Sequence, residues 1–378
     1  MKEIKRVLIS GGGTGGHINP ALAIADEIKS RYPTAEVSFV GAKGRMEMEK
    51  VPNAGYNIEG LWISGIERKL ASSKNITFPF KLISSLVKSG RLLRKYKPEV
   101  VIGVGGFASG PLLYRAALKG IPTLIQEQNS FPGITNRILA GHVNKVCAGF
   151  PGLERWFPKD KIVETGNPLR SSVLELLDGA GGNNSSAKEY FNLDPKKPVV
   201  FVMGGSLGAA SMNEAVKEII SKYLNGFPYQ ILWQCGARYS TENTVWLEQL
   251  GQDHPEVANN VRCVGFIDRM DLAYSSAEII ASRAGAMSIS ELALVAKPTI
   301  LIPSPHVTED HQTKNAMSLV ERGAAVLVKD NEVVKSLGAE IDSILANPEQ
   351  CVNMQNQLRE AAKPEASKVI VNHVEELV

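Results

Sequence analysis

A glycine-rich stretch near the N-terminus is the clearest candidate for chemistry in the chain. The range Gly11–Pro20 reads GGGTGGHINP and lies between an apolar run, Arg6–Ser10, and a stretch with a helical pattern, Ala21–Lys29. The pattern predicts a buried strand, a loop, and a helix with Asn19 as its N-cap and Pro20 as its first residue. Glycine lets backbone N–H groups approach a ligand closely, and a helix N-terminus favours negative charge. We therefore expect this loop to bind a phosphate or another anionic group.

The spacing of Gly11, Gly13 and Gly16 also fits the dinucleotide-binding fingerprint. That fingerprint requires an acidic residue at the end of the second strand, where it holds a ribose. The predicted second strand, Glu36–Val40, ends in Gly41–Gly44 without a carboxylate. A P-loop would require Lys followed by Ser or Thr after its last glycine, and the sequence has neither there. Both common nucleotide-binding interpretations are therefore weakened.

His17 follows these glycines at the start of the predicted helix. The helix dipole disfavours an imidazolium there, so a neutral ring is able to accept a proton from a hydroxyl as a general base. The alternative is a histidine that only caps the helix or packs against its start. Residue type and position alone do not decide between the two.

Glu127 belongs to a polar group, with Gln126, Gln128 and Asn129, that directly follows the predicted strand Pro122–Ile125. Four polar residues after a buried strand indicate the rim of a binding site. The carboxylate is suited to proton transfer, to recognition of sugar hydroxyls, or to structural hydrogen bonding. From the residues alone we favour recognition or structure over proton transfer.

The segment Arg283–Glu291 has the pattern of a strand end, a turn of small residues and a helix start. A carboxylate in this position accepts two hydrogen bonds from a ribose diol, while the N–H groups before it meet a phosphate. The alternative is a capping box, in which Glu291 pairs with the N-cap Ser288.

Composition and charge limit the class of protein. A chain of 378 residues with 44% hydrophobic and 21% charged residues is typical of a soluble globular protein with two domains. A net charge of +3 gives no reason to expect a nucleic-acid partner. Four scattered cysteines predict reduced residues of a cytoplasmic protein, and the six histidines show no pairing that predicts a metal site. No signal peptide or membrane span is expected, so any membrane contact is predicted to be peripheral.

Apolar runs that predict strands alternate with helical stretches along both halves of the chain. Beyond the three strands already named, these runs are Val100–Val104, Pro198–Met203, Gln230–Trp233, Val261–Val264, Glu278–Ala281 and Pro298–Ile302. The alternation predicts an α/β fold with two doubly wound, Rossmann-like domains. We place these domains at residues 1–165 and 166–350, and leave open where a C-terminal helix within 351–378 docks. The polar stretch Asp178–Ser186 is predicted to be a disordered surface loop.

Ligands of open parallel sheets bind beyond the carboxyl ends of the strands. The segments predicted at this edge are the loop around Lys43 and Arg45, Gly103–Pro111 and Gln126–Pro132 in the first half, and Ser206, Phe266–Asp268, Arg283–Glu291 and His306–Gln312 in the second. We expect the two domains to face one cleft.

The segment Arg68–Lys97 contains nine Lys or Arg residues and no acid, interleaved with apolar residues. A basic amphipathic segment of this kind binds an anionic membrane surface. The alternative is an ordinary solvated helix whose apolar side faces the core.

Six motifs then appear in a specific order. They are Gly12-Gly-Thr-Gly-Gly-His-Ile-x-Pro20, Gly105-Gly-Phe-x-Ser-Gly-Pro111, Glu127-Gln-Asn129, Gly166-Asn-Pro-x-Arg170, Gly204-Gly-Ser-x-Gly-Ala209 and Ser288-x-Ser-Glu291. From about residue 6 to residue 330 the chain resembles the bacterial peptidoglycan N-acetylglucosaminyltransferases, which complete the lipid-linked disaccharide-pentapeptide. The resemblance implies a GT-B fold and an inverting transfer of N-acetylglucosamine from UDP-GlcNAc to the C4 hydroxyl of undecaprenyl-diphospho-MurNAc-pentapeptide, without cofactor or metal.

The resemblance also implies roles for individual residues. His17 and Glu127 would face the acceptor, with His17 as the first choice of base. The donor would be bound by Thr14, Gly15, Gly16, Asn129, Arg170, Ser206, Ile267, Ala286, Met287, Ser288, Ile289, Ser290, Glu291 and Gln312. Among these, Ile267 would contact the uracil, Glu291 the ribose and Gln312 the sugar. An apolar patch with basic neighbours on the N-terminal domain would dock peripherally on the cytoplasmic face of the inner membrane.

One departure from the family pattern concerns Gln126, where the family often has His, so an imidazole at this position is not essential here. Four other functions remain open from the sequence: a nicotinamide oxidoreductase, a UDP-sugar epimerase of the same fold, a nucleotide-sugar sensor without catalysis, and a glycosyltransferase with another lipid acceptor.

Overall fold

The computed structural model describes residues 3–65, 76–177, 184–205 and 207–378. The chain divides into two compact units: unit 1 comprises Met1–Arg170 and Lys363–Val378, and unit 2 comprises Ser171–Ala362. The chain thus enters unit 2 after Arg170, where the sequence indicated a boundary after residue 165. It returns to unit 1 at Lys363.

Unit 1 contains, among the described residues, a sheet of seven parallel strands in the order β3-β2-β1-β4-β5-β6-β7. The strands are β1 (Arg6–Ser10), β2 (Glu36–Ala42), β3 (Asn57–Leu61), β4 (Val100–Gly103), β5 (Thr123–Glu127), β6 (Lys145–Ala148) and β7 (Ile162–Glu164). Strands β3, β6 and β7 were not predicted from the sequence, because these short strands carry charged residues that interrupt the apolar run.

The described α-helices of unit 1 before its C-terminal segment are α1 (Gly15–Arg31), α2 (Glu47–Asn53), α3 (Phe78–Tyr96), α4 (Ser109–Ala117) and α5 (Ile134–Leu139). The predicted start of α1 is wrong. The backbone N–H groups of His17 and Ile18 donate to the carbonyl of Thr14, which is the N-cap. Asn19 and Pro20 therefore lie inside the helix, and His17 lies in its first turn.

Unit 2 contains, within the described part of the chain, six parallel strands in the order β10-β9-β8-β11-β12-β13. The strands are β8 (Val199–Met203), β9 (Gln230–Gln234), β10 (Val261–Val264), β11 (Ile279–Ser282), β12 (Thr299–Leu301) and β13 (Val326–Leu327). The prediction of an α/β fold with two doubly wound, Rossmann-like domains is confirmed.

The described helices of unit 2 are α6 (Ser171–Leu174), α7 (Asn184–Tyr190), α8 (Ala210–Lys222), α9 (Ser240–Asp253), α10 (Pro255–Asn260), α11 (Met270–Ser276), α12 (Ala286–Val295), α13 (His311–Val320), α14 (Val333–Leu345) and α15 (Pro348–Ala361). The predicted disordered loop Asp178–Ser186 is wrong at its end, because α7 begins at Asn184. Helix α7 is anchored by Lys188, whose ammonium lies 2.9 Å from the Glu278 carboxylate. Residues 178–183 lie outside the described residues.

The C-terminal stretch forms two helices, where the sequence indicated one helix within residues 351–378. Helix α15 ends at Ala361, and α16 (Ala366–Leu377) follows. Pro364 interrupts the helix because its ring fixes φ and disfavours a helical residue before it. Helix α16 packs against α1, with Val371 fully buried in the same core as Ile24.

Polar contacts strengthen this docking at the end of α1. The Arg31 guanidinium donates to Asn372 Oδ1 at 2.6 Å and to Glu375 Oε1 at 3.0 Å. The Tyr32 hydroxyl donates to the same Glu375 oxygen at 3.0 Å. The docking that the sequence left open is therefore on unit 1.

Replacing the buried Val371 by Ala should lower the free energy of unfolding of unit 1 by about 2 kcal/mol, because two methyl groups leave a packed core. The matched change Val352→Ala, on α15 with 56% of the residue exposed, should have little effect. Denaturant unfolding measures the stability of both variants, and hydrogen exchange of the α1 amides shows whether the loss of stability lies in unit 1. Equal stability of the two variants would contradict the docking of α16 on α1.

Candidate functional site

Two glycine loops meet at the carboxyl edge of the unit 1 sheet. The first glycine loop (Gly11–Thr14) follows β1 and the second glycine loop (Val104–Ala108) follows β4, the adjacent strand. Here the strand order reverses direction along the sheet, which is where open α/β sheets bind ligands. A Cβ on Gly106, which has φ +85°, would lie 2.5 Å from the carbonyl oxygen of Gly12. The two loops therefore pack backbone against backbone.

His17 lies beside this junction, in the first turn of α1. A Cβ on Gly105 would lie 2.7 Å from the imidazole Cδ2 and 2.8 Å from Nε2, so glycine makes room for the ring. The Nδ1 atom lies 3.4 Å from the Thr14 hydroxyl oxygen. The half-buried imidazole thus lies next to the N–H groups of Gly15 and Gly16 at the helix N-terminus, where an anionic group is favoured.

The Glu127 carboxylate is buried, with 2% of the residue exposed. Its Oε1 accepts from the backbone N of Asn129 at 3.0 Å and from the Asn129 Nδ2 at 3.3 Å. Its Oε2 accepts from the backbone N of Gly133 at 3.0 Å and from Asn136 Nδ2 at 2.8 Å. Of the three roles that the sequence left open, this geometry supports structural hydrogen bonding, because the carboxylate organises the loop that follows β5.

The predicted binding rim is wrong for the glutamines on either side of Glu127, since both are buried. Gln126 Nε2 donates to Asn167 Oδ1 at 2.9 Å, and Asn167 Nδ2 donates to the Gln128 carbonyl at 3.0 Å. Gln128 Nε2 also donates to the Val104 carbonyl at 2.9 Å, which ties this network to the second glycine loop. Of the four polar residues predicted at the rim, only Asn129 is half-buried and so partly accessible to a ligand.

Three side chains that position loops of unit 1 were given no role from the sequence: Glu47, Asn136 and Asn167. Asn136 and Asn167 lie in segments whose local pattern shows no sign that they are buried. Glu47 begins α2 directly after the loop around Lys43 and Arg45, which the sequence did place at the carboxyl edge. Its carboxylate, however, is buried beneath the first glycine loop.

The carboxyl edge of unit 2 repeats the close approach of two backbones. Gly208, with φ +77°, follows β8, and a Cβ on it would lie 2.2 Å from the carbonyl oxygen of Cys235 after β9. A Cβ on Gly236 would in turn lie 2.2 Å from the Gly208 Cα. Ser206, one of the predicted donor contacts, lies outside the described residues.

Helix α12 begins at this edge with Gly285 as its N-cap. The N–H groups at its start point out of the helix toward any bound anion. The side chains of Ala286, Met287 and Ile289 are buried, Ser288 is half-buried, and Ser290 Oγ donates to the Ala286 carbonyl at 3.2 Å. The backbone at the helix start is thus the group suited to bind a diphosphate.

Glu291 is buried in the second turn of α12, so the alternative of a capping box with Ser288 is wrong. Its Oε2 accepts a hydrogen bond from the Tyr274 hydroxyl at 2.8 Å. This contact holds the carboxylate in one orientation.

The remaining predicted donor contacts, Ile267, Gln312 and Arg170, differ in which of their atoms are accessible to a ligand. The Ile267 side chain is buried, so this residue offers a ligand its backbone, whereas the neighbouring Phe266 is half exposed. Gln312 Oε1 accepts from the backbone N of Ser304 at 2.8 Å. Arg170 is half-buried at the end of the first segment of unit 1.

Arg283 is a further edge residue, to which the sequence analysis gave no role. Its Nη1 lies 2.5 Å from Asp330 Oδ1 and donates to the Ile302 carbonyl at 3.1 Å. Its Nη2 donates to Ser211 Oγ at 3.0 Å. The guanidinium therefore joins several loops of the unit 2 edge.

Helix α3 of unit 1 exposes an apolar face. Phe80, Ile83 and Val87 are 67%, 61% and 50% exposed, and the exposed Arg91 and Arg94 follow on the same side. Beneath the helix lies a cavity of about 560 Å³, lined mainly by apolar side chains: Ile63, Phe78, Leu82, Leu86, Phe107, Pro111, Tyr114, Ile134, Ile138 and Leu139.

The basic charge of this segment is partly neutralised. The Lys95 and Lys88 ammonium groups lie 2.9 and 3.3 Å from the Glu59 carboxylate, and hydrogen bonding to them lowers the pKa of Glu59. Arg68, Lys69 and Lys74 of the predicted membrane segment lie outside the described residues. Within the described ranges, no helix has the length and apolar character to cross a membrane.

The chain is similar to known proteins both in sequence and in fold. Residues 7–148 match the glycosyltransferase family 28 N-terminal domain, and residues 199–370 match the family 28 C-terminal domain. The chain is 28% identical to the protein in a crystal structure of MurG from Acinetobacter baumannii, with a TM-score of 0.76 over 98% of this chain and 99% of that one.

Two curated relatives carry the same protein name, UDP-N-acetylglucosamine–N-acetylmuramyl-(pentapeptide) pyrophosphoryl-undecaprenol N-acetylglucosamine transferase. The relative from Flavobacterium psychrophilum is 46% identical, and the one from Christiangramia forsetii is 48% identical. Both alignments cover 100% of this chain and 99% of the relative. The family resemblance seen in the ordered motifs is thereby confirmed, and the chain belongs to glycosyltransferase family 28, in the family of these N-acetylglucosamine transferases.

Proposed function

We propose that this chain transfers N-acetylglucosamine from UDP-GlcNAc to the C4 hydroxyl of undecaprenyl-diphospho-MurNAc-pentapeptide, with inversion, to form a β-1,4 bond. The observation that carries this proposal is the identity of 46% and 48% over the full chain to relatives named for this transfer. The helix N-terminus beside His17 in unit 1 and the glycine-rich edge of unit 2 fit a reaction between anionic substrates.

Unit 2 supplies most of the proposed donor site. The N–H groups at the start of α12, from Ala286 to Ser288, would bind the diphosphate, and Ser206 and Ser290 would add hydroxyl contacts. The carboxylate of Glu291, oriented by Tyr274, would accept hydrogen bonds from the ribose diol. The Ile267 backbone would bind the uracil edge, and Gln312 would bind the sugar. From unit 1, we assign Thr14, Gly15, Gly16, Asn129 and Arg170 to the donor by family resemblance.

The chemistry requires a base for the attacking hydroxyl and stabilisation of the leaving diphosphate. His17 is the proposed base: as the acceptor O4 bonds to the anomeric carbon, the imidazole takes its proton and the bond from that carbon to the UDP oxygen breaks. Fixed N–H dipoles at the start of α12 stabilise the negative charge that develops on UDP. Glu127 acts by holding the loop that contains Asn129.

The apolar face of α3 suits the lipid-linked acceptor. Phe80, Ile83 and Val87 would enter the boundary of an anionic membrane while Arg91 and Arg94 pair with lipid headgroups. We propose that the protein binds peripherally at the cytoplasmic face of the inner membrane by this surface.

The proposed reaction is tested by measuring UDP release from UDP-GlcNAc without added metal, with and without polyprenyl-diphosphate MurNAc-pentapeptide. We expect release only with this acceptor, together with a disaccharide product. Isomerisation of UDP-GlcNAc without acceptor would identify an epimerase instead. Donor binding without any turnover on this acceptor would contradict the proposal and leave a sensor or another lipid acceptor.

Replacing His17 by Ala should leave UDP-GlcNAc binding intact and lower turnover by about 10²–10⁴-fold, because the base is lost. His254→Ala, a half-buried histidine of unit 2, is the matched control and should keep normal turnover. Calorimetry measures donor binding, and UDP release measures turnover. Near-normal turnover of the His17 variant would remove it from the role of base.

A triple change of Phe80, Ile83 and Val87 to Ser should weaken binding to lipid vesicles at least about tenfold, because three exposed apolar side chains no longer enter the membrane. Changing Arg91 and Arg94 to Gln should weaken binding roughly tenfold on anionic vesicles and little on neutral ones. Vesicle co-sedimentation measures both, with Val245→Ser/Val352→Ser as the control for exposed apolar residues of unit 2. Unchanged binding of the triple variant would place the membrane contact elsewhere.

A further inference from the structure

Glu47 is a fully buried carboxylate beneath the first glycine loop, with 0% of the residue exposed. Its Oε2 accepts from the backbone N of Gly13 at 2.8 Å, and its Oε1 accepts from the backbone N of Ala42 at 2.9 Å. It therefore joins the loop after β1 to the end of β2. It also lies in the first turn of α2, where the helix dipole stabilises a negative charge.

The glycines around Glu47 are shaped to its side chain. A Cβ on Gly12 would lie 2.2 Å from Glu47 Oε1, and a Cβ on Gly41 would lie 2.6 Å from its Cγ. Gly12 has no positive φ, so its backbone conformation alone does not require glycine. The need for glycine at position 12 follows from the carboxylate that occupies the space.

Burying the Glu47 carboxylate costs free energy, and the need to fill space in the core does not explain why a charged group is there. A buried charge is tolerated only when it is paired or hydrogen-bonded, and no Lys or Arg among the described residues forms an ion pair with Glu47. Two backbone N–H groups from different segments donate to its carboxylate. An apolar side chain would fill the same space without desolvating a charge, so the carboxylate's contribution is to orient these N–H groups.

A series of contacts through the two glycine loops connects Glu47 to His17, the proposed base. Gly12 and Gly13 are held by the carboxylate, and Gly12 packs directly against Gly106 of the second glycine loop. The neighbouring Gly105 packs against the imidazole of His17. We propose that Glu47 is a positioning residue, which sets the relation of the two glycine loops and thereby the position of the His17 imidazole.

The contact with Glu47 also determines which N–H groups of the first glycine loop and the start of α1 face the expected anionic ligand. The N–H of Gly13 donates to Glu47, so it is directed away from a ligand on the open side of the loop. The N–H groups of Gly15 and Gly16, at the start of α1, are the ones that face a bound anion. The anion is thus recognised by the helix N-terminus, and the glycines before it serve the contact with Glu47.

The test uses Glu47→Gln, which keeps the size of the side chain but turns an NH₂ group toward one of the two N–H donors. Because one hydrogen bond is lost and the base is misplaced, we expect kcat to fall about tenfold to hundredfold while the KM for UDP-GlcNAc changes little. The pH profile of kcat should shift, since the environment of the base changes. Glu49→Gln, an exposed neighbour in α2 with the same change of charge, should behave as the original chain.

A double-mutant cycle tests whether Gly12 and Glu47 act through the same contact. Gly12→Ala should reproduce the kinetics of Glu47→Gln, because the new methyl group displaces the carboxylate. Combined with Glu47→Ala, which removes the obstacle, Gly12→Ala should add no further loss, so the two effects are not additive. Additive losses would show that Gly12 and Glu47 act independently and would overturn the assignment.

This assignment rests on the proposed transfer reaction only for its kinetic readout. Hydrogen exchange of the Gly13 amide and the NMR signals of His17 report the same contacts without turnover. We expect Glu47→Gln to lose protection at Gly13 and to shift the His17 signals, whereas Glu49→Gln does neither. Unchanged exchange, signals and kinetics in Glu47→Gln would overturn the positioning role, while absence of transfer by the unmodified chain would count against the proposed function alone.

Discussion

The candidate site of unit 1 depends on the contact between two backbones at the point where the sheet changes strand order. Gly106 approaches the carbonyl oxygen of Gly12 so closely that the second glycine loop could carry no side chain at this position. This contact brings the start of α1, with His17 and its N–H groups, next to the loop after β4. The repeated approach of Gly208 to Gly236 in unit 2 shows the same constraint, since a parallel sheet delivers neighbouring loops to one edge and only glycine lets them touch.

Buried polar groups hold the loops around these contacts. The carboxylates of Glu47 and Glu127 each accept hydrogen bonds from backbone N–H groups, and Arg283 joins loops of the unit 2 edge to Asp330. Buried charges and amides have few alternative partners, so each one specifies a single loop conformation. The groups offered to ligands are then mainly backbone N–H groups at helix starts, which need no reorganisation when charge develops.

The apolar face of α3 differs from the apolar core of the domain because its large apolar side chains stay exposed to water. Phe80, Ile83 and Val87 remain exposed although their neighbours on the same helix pack inward against the sheet. A soluble domain seldom leaves a contiguous row of large apolar side chains in water, and such a patch marks a surface for a partner or a membrane. Lys88 and Lys95 pair with Glu59, whereas the Arg91 and Arg94 side chains are exposed to solvent, where an anionic surface can meet them.

The sequence by itself determined the features that depend on local pattern. The buried strands, the glycine loops at their ends, the position of His17 at a helix start and the family resemblance all follow from residues close together along the chain. The short edge strands β3 and β7 were missed because charged residues interrupt their apolar pattern. The start of α1 was misplaced because Pro20 and Asn19 favour a helix start, although the first hydrogen bonds of the helix reach back to Thr14.

Only the tertiary structure decided which side chains face inward and what they contact. Glu47 meets Gly13 from 34 residues away, and Gln126 meets Asn167 from 41 residues away. Arg31 reaches Glu375 across 344 residues, which assigns the last helix to unit 1. Such contacts depend on the order of strands in the sheet and on the path of the chain between the units. Local propensity carries no information about either, because it describes a residue's conformation and not its distant neighbours.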